Sequence, residues 1–334
     1  MSENRVRICD IAEELGLSTA TVSYVLHGKL DKVSEETARR VMALLEERQY
    51  LPGMAKLLLD RNPSRIVGVV VNDHEKYEEH ALEDSFIAST LNALSVEMMK
   101  NDLQMLVKRT ANMWEIEAFS TMWNLEGLVL IGFCAQDYER LRERIRVPFV
   151  VYDGCGATAE RICCINIDDR QGGFLVGDHF RRGGHRRALC ISDNNVGMDR
   201  ERWEGFYAGF GGEGARQMLI PMNKMSRMAL YREKMKEIRG YTAIFAVSDY
   251  YAVELMRFLR EQGISVPKDI SLAGFDDVPL CRMIYPSLTS VRQDVAQRAQ
   301  FAVEMLRRLR KGEKTEAQIT LPVTLVPRDS TRCL

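Results

Sequence analysis

The stretch RICDIAEELGLSTATVSYVLHG, residues 7–28, decides how the chain begins to fold. Ile11, Ala12 and Leu15 fall on one face of a helix, Gly16 can take the positive φ of a sharp turn, and Ser18 can cap a second helix. The inward positions of that second helix are Val22, Val25 and Leu26. Two helices this short cannot bury their apolar faces against each other alone. After Gly28 and a polar loop, Ser34 caps a third helix in which Ala38, Val41, Leu44 and Leu45 recur at helical spacing and close a small core. The spacing predicts an all-α helix-turn-helix headpiece over residues 1–50. Its second helix opens on Thr19, Ala20 and Thr21, side chains small enough to let a helix N-terminus approach base edges in a major groove, while Thr21 and Ser23 can donate to phosphate. An ordinary three-helix bundle with capping Ser and Thr stands as the alternative.

From residue 65 onward apolar runs alternate with amphipathic helical stretches. RIVGVVV (65–71), LQMLVK (103–108), LEGLVLI (125–131) and VPFVVY (147–152) are continuous rather than alternating, as buried parallel strands are. CINI (164–167), RALCIS (187–192), TAIFAV (242–247) and DISLAGF (269–275) repeat the pattern, separated by helices over 171–182, 199–210 and 249–262. The expected fold is the headpiece followed by an α/β core of two doubly wound parallel-sheet subdomains. A helix over 294–311 and a terminal strand over ITLPVTLV (319–326) complete the chain. The expected divisions are 1–50, a hinge or linker helix over 51–63, and a core over 64–334. Within the core, one subdomain takes about 64–164 plus 293–322, and the other about 165–292 plus 323–334.

The chain has 334 residues, 46% hydrophobic and 28% charged, enough for several buried cores, and no apolar run approaches the roughly 18 residues that span a bilayer. The opening MSENRVRICD has no apolar signal region, which predicts a cytoplasmic location and no membrane partner. The eight cysteines are scattered with no C-x-x-C pair, so reduced thiols are expected, with no metal and no cofactor. Bulk charge does not point to nucleic acid. The net charge is −1, and residues 1–62 carry nine Lys/Arg against ten Asp/Glu. DNA binding must therefore rest on where individual side chains project. P-loop, G-x-S-x-G and H-E-x-x-H patterns are absent and no G-x-G-x-x-G follows the first strand, so no reaction is nominated.

Residues 7–28, with VSEETARRVMALLEERQYLP (33–52), resemble the headpiece of the LacI/GalR (lactose repressor) family of bacterial transcriptional regulators, and the resemblance runs through essentially the whole chain. It implies a homodimer, open to further pairing into a tetramer, on a near-palindromic operator. It also implies a small-molecule effector, a sugar or sugar derivative, held between the core subdomains and controlling repression. The family's recognition helix reads T-V-S-R-V-L-N. Here Tyr24 replaces the Arg and His27 the Asn, and Tyr24 cannot make a bidentate contact to guanine. The family hinge P-N-x-x-A-R-x-L corresponds to Pro52–Leu58, one residue short, with Leu58 as the candidate minor-groove wedge.

In the core, Arg202 and Trp203 match the family's R-x-x-G-[FYW]. A guanidinium can hold two adjacent hydroxyls or a carboxylate, a reading preferred for Arg202 over a surface ion pair, and an indole can stack on a sugar, though Trp203 could equally pack into the core. Asp249 and Asp276 correspond to the family's A-N-D and G-[FY]-D-D aspartates at carboxyl ends of strands, with Ser248 in place of the Asn and Asp277 read as a cap. Asp169 and Gln171, from D-N-x-x-G, and Gln293, at the end of a crossover strand, complete the implied effector set. The segment NDHEKYEEHALED (72–84) departs from the family's short N-P-F-F loop. A solvated acidic loop is expected there, ahead of a metal or cationic-ligand site built on His74 and His80. A cytoplasmic small-molecule-binding protein or a sugar-acting enzyme on the same core is the alternative function.

Overall fold

A computed structural model of the chain describes residues 8–26, 32–48, 64–133, 141–154 and 162–334. Two compact units divide it, residues 1–62 and 63–334. In the first, α1 (Ile8–Leu15), α2 (Thr19–Leu26) and α3 (Glu35–Glu47) enclose Ile11, Ala12, Val22, Val25, Val41, Leu44 and Leu45. Gly16 does take a positive φ, 67°, and lets the Leu17 amide reach back 2.8 Å to the Ala12 carbonyl, closing the end of α1. The same cap is used twice, Ser18 Oγ accepting from the Thr21 amide at 3.1 Å and Ser34 Oγ from the Thr37 amide at 3.2 Å. His27, Leu58 and the 51–63 hinge lie outside the described residues.

The second unit contains two parallel sheets. In chain order its strands are β1 (Ile66–Val71), β2 (Gln104–Arg109), β3 (Gly127–Ile131), β4 (Phe149–Tyr152), β5 (Ile162–Ile167), β6 (Ala188–Ser192), β7 (Ala215–Leu219), β8 (Ala243–Ala246), β9 (Ser271–Asp276), β10 (Thr289–Arg292), β11 (Gln318–Leu321) and β12 (Thr324–Val326). One sheet runs β11-β5-β4-β3-β1-β2, and the other β12-β10-β9-β8-β6-β7. All pairings are parallel except β10 with β12. The central strands β1, β3, β4, β6 and β8 are buried on both faces, which is why they read as continuous apolar runs.

The chain passes between the lobes after β5, after β10 and after β11. The first crossing thus follows Ile167 rather than residue 164. The apolar run 319–326 is two strands in different sheets and not one strand, because Pro322 offers no amide to continue a ladder. Helix Val295–Arg310 packs on helix Ser85–Lys100 in the first lobe, whereas helices Asp169–Arg182 and Gly197–Phe210 lie side by side in the second.

Candidate functional site

In the headpiece, Thr19 and Ala20 are exposed at the start of α2, and Thr21, Ser23 and Tyr24 are partly buried along it. Thr21 is not simply a free donor, since its hydroxyl shares a hydrogen bond with Ser18 Oγ at 2.8 Å. The Lys32 ammonium lies 5.5 Å from the centroid of the Tyr24 ring. The presented face of α2 is therefore a short stretch of small and hydroxylic side chains at a helix N-terminus, ending in an aromatic ring.

In the core, the carboxyl ends of both sheets face a cavity of about 390 Å³. The first lobe contributes Lys76, Tyr77, Asp84 and Phe86 to its lining, the second Ser248, Tyr250, Asp276 and Val278. Asp276 takes a φ of 114°, strained for a residue with a side chain, at the end of β9. Its Oδ1 accepts a 2.7 Å bond from Gln293 Nε2. Arg202 is 5% exposed, so it is no surface ion pair. Its Nε donates to Asp169 Oδ1 at 2.7 Å, an Nη donates to the Val247 carbonyl at 2.6 Å, and the guanidinium lies 3.7 Å from the centroid of the Phe275 ring. Asp276 lines the cavity and is bonded to Gln293, while the buried Arg202–Asp169 ion pair acts on Asp276 through the Arg202 charge.

Three residues of the expected set are placed differently. Asp249 lines the cavity, yet both its oxygens are spent within the protein. Oδ1 accepts from Ser290 Oγ at 2.6 Å, and Oδ2 from the Val278 amide and Cys281 Sγ at 3.0 Å each. It pins the β9–β10 connection from its place in the cavity lining. Trp203 packs beside Phe206 and Tyr207, with centroids 6.2 and 5.5 Å away, on the flank of its helix and outside the cavity lining. Gln171 is exposed on the first turn of its helix, where its amide is capped by Asp168 Oδ1 at 2.9 Å. Asp277 is held by Arg292 and Arg328, in keeping with a structural role.

Along the 72–84 segment Glu75, Glu78, Glu79, His80, Leu82 and Glu83 are exposed, yet the segment is anchored at several points. His74 Nε2 donates to the Gly132 carbonyl at 2.7 Å and Ala81 is fully buried. Asp84 caps the next helix through the Phe86 and Ile87 amides. The Tyr250 hydroxyl of the second lobe donates to the Lys76 carbonyl at 3.0 Å and ties the segment across the cleft. His80 points instead to Glu83, and among the described residues no group of three His, Cys, Asp or Glu is placed to hold a metal ion.

Burial in the cleft pushes several carboxyls upward. Asp169 rises to about 6, Asp199 and Asp249 to about 7, and Asp276 well above the usual range. Arg202 draws Asp169, Asp199 and Asp276 back down only in part. Asn194 Nδ2 bridges Asp193 at 2.6 Å and Asp199 at 2.7 Å, and these two carboxyls titrate as a pair. An acid whose folded pKa is raised binds its proton more tightly in the native state, so its contribution to stability is lost as pH rises through that value. We expect the melting temperature of the ligand-free chain to rise between pH 8 and pH 6.5, and Asp199→Asn to flatten that slope. Burial lowers His179 and His185, which act in the opposite sense as pH falls below 6.5. A melting temperature that is level or falls from pH 8 to 6.5 would contradict this account of the cleft.

Residues 7–53 match the family described as bacterial regulatory proteins, lacI family, and residues 177–331 match a periplasmic binding protein-like domain. The HTH-type transcriptional repressor PurR of Actinobacillus pleuropneumoniae is 28% identical over 339 residues, covering 93% of each chain. The HTH-type transcriptional regulator YvdE of Bacillus subtilis is 23% identical, over 97% of this chain and 99% of that one. The lac repressor dimer bound to operator and the anti-inducer ONPF has a TM-score of 0.82 at 23% identity, covering 98% of this chain and all of the other. The regulator CelR in complex with cellobiose has a TM-score of 0.70 at the same identity and coverage. The fold is that of the lac repressor, headpiece and core together.

Proposed function

This chain belongs to the lacI family of bacterial regulatory proteins, and on that premise we propose that it is a homodimeric transcriptional repressor whose affinity for operator DNA is set by a small molecule bound between its lobes. The observation that carries the reading is that both lobes line one cavity, in a chain whose other unit is a helix-turn-helix. A ligand touching both lobes binds one lobe arrangement better than another, and only such a difference can shift the equilibrium that the headpieces report. Thr19, Ala20, Thr21, Ser23 and Tyr24 are the residues offered to DNA, with His27 and Leu58 added by the resemblance. Asp276, Gln293, Arg202 and Asp169 are offered to the effector.

A carbohydrate effector is supported by similar proteins solved with cellobiose and with ribose. The protein acts in the cytoplasm, without a cofactor and without turnover. The relatives named as regulators support that reading, and no helix among the described residues is long and apolar enough to cross a membrane. The direct test selects binding sites for the full chain from random duplexes and then repeats the binding with a sugar panel. The expected product is a near-palindrome with a flexible pyrimidine–purine step at its centre. Recovery of no enriched sequence sinks the proposal, and turnover of a sugar that disappears in Asp276→Ala would move the chain to the enzyme class.

A further inference from the structure

The side chain that reveals the chemistry of the cleft is the protein's own Lys76. It enters from the first lobe, and its ammonium lies 4.8 Å from the centroid of the Tyr77 ring and 5.8 Å from that of Tyr251 in the second lobe. Tyr77 and Tyr250 meet edge to face at 6.2 Å, and Tyr250 with Tyr251 at 5.4 Å, while the buried Arg227 guanidinium lies 5.8 Å from the Tyr250 ring and 4.9 Å from the Tyr251 ring, so this tyrosine cluster already holds cations. Asp193, Asp84 and Asp199 act on the ammonium from further out and favour its charged form against the cost of burial. Asp193 is fixed by the Tyr251 hydroxyl at 2.5 Å. Aromatic faces backed by carboxylates are how proteins hold ammonium groups.

The charge balance around this frame is one-sided. Glu78, Glu83, Asp84, Asp249 and Asp276 line the cavity, against Lys76 and His80. Asp84 has one oxygen committed to capping and Asp276 one to Gln293. Lys76 and His80 leave this lining with more acidic than basic groups, so a cation meets less repulsion there than an anion, with Arg202 offsetting part of the Asp276 charge.

We propose that the effector carries a protonated amine on a hydroxylated frame, as an amino sugar does, and that Lys76 occupies the amine's place until the effector displaces it. The proposal rests on the cleft being the effector site and names the class of molecule that the site takes. Ser248, Asp84 and Asp276 are left to receive hydroxyls while Tyr77 and Tyr250, which line the cavity, hold the amine.

The test is isothermal titration calorimetry of the full chain with glucosamine, galactosamine and spermidine. Each amino sugar is set against an uncharged match, glucose, galactose or N-acetylglucosamine, and against the anionic glucose 6-phosphate. The series is repeated on Lys76→Gln. At least one amine should bind about tenfold or more tightly than its uncharged match, the scale of a desolvated cation–π contact, and Lys76→Gln should tighten it further by removing the resident competitor. Binding led by glucose 6-phosphate and abolished in Lys76→Gln would overturn the proposal by making Lys76 an anion anchor. Equal binding of amine and uncharged match overturns it too, as does failure of every amine to bind either protein. The ranking on the unaltered chain decides the matter even if Lys76→Gln folds poorly. These outcomes leave the regulator reading intact, because selection of operator sequences tests that reading without any ligand.

Discussion

Gly205→Ala should cost the core on the order of 3 kcal/mol and lower its melting temperature by roughly 10 °C, although alanine is the better helix former. Helices Asp169–Arg182 and Gly197–Phe210 lie in backbone contact through four glycines. A Cβ at Gly205 would sit 1.9 Å from the Arg170 carbonyl oxygen, and one at Gly173 would sit 2.0 Å from that of Arg202. Gly177 and Gly209 repeat the relation one turn on, at 2.3 Å from the Phe206 oxygen and 2.2 Å from that of Phe174. The obstructing atoms are backbone, so no side-chain rotation relieves the clash and the helices must move apart. Helix propensity alone predicts a gain of about 1 kcal/mol, so even the sign of the effect decides the issue. The displacement also reaches the cleft, because Asp169 and Arg202 stand next to these contacts and their 2.7 Å ion pair depends on the same close approach. Chemical denaturation of the variant measures the loss. Unchanged or raised stability would show that the two helices are not in backbone contact.

What was legible in the sequence was whatever depends on neighbours along the chain. The caps at Ser18 and Ser34, the turn at Gly16 and the fully buried strands follow from local spacing and continuous apolar runs. Strand β7 escaped because it is an edge strand, buried at Ala215 and Met218 and otherwise partly or fully exposed, so it shows no apolar run. The site was less legible because its partners are distant. Nothing local to Asp249 shows that its oxygens are bonded within the protein, since that depends on Ser290, Cys281 and Val278. The anchoring of segment 72–84 was hidden in the same way, since its tie to Tyr250 comes from the other lobe. Arg298 did leave a signal. It stands on the buried stripe of its helix with Ala299, Ala302, Val303 and Leu306, and a charged residue at that phase is in the core and must be paired.

Arg298→Met should destabilise the core by about 3–5 kcal/mol and divide its unfolding into two steps. Arg298 is fully buried, with its guanidinium 4.3 Å from the centroid of the Tyr152 ring. One Nη donates to Asp153 Oδ1 at 2.8 Å and to the Ile165 carbonyl at 2.9 Å, both in the first lobe. The other donates at 2.6 Å to Gln293 Oε1, and Gln293 Nε2 in turn reaches Asp276 of the second lobe. The crossing after β10 is thereby tied to both lobes through one cation. Methionine fills most of the volume but leaves the Asp153 carboxylate and the Gln293 amide oxygen buried without their donors. Lysine restores the charge but not the planar fork that serves three acceptors, so Arg298→Lys should recover only part of the loss. The tryptophans report the lobes separately, Trp114 and Trp123 in the first and Trp203 in the second. Single-tryptophan versions of Arg298→Met should melt at different denaturant concentrations, where those of the unaltered arginine chain melt together. Coincident transitions at an unchanged midpoint would mean that the lobes are coupled by other contacts. Gln293 would then position Asp276 without help from the first lobe.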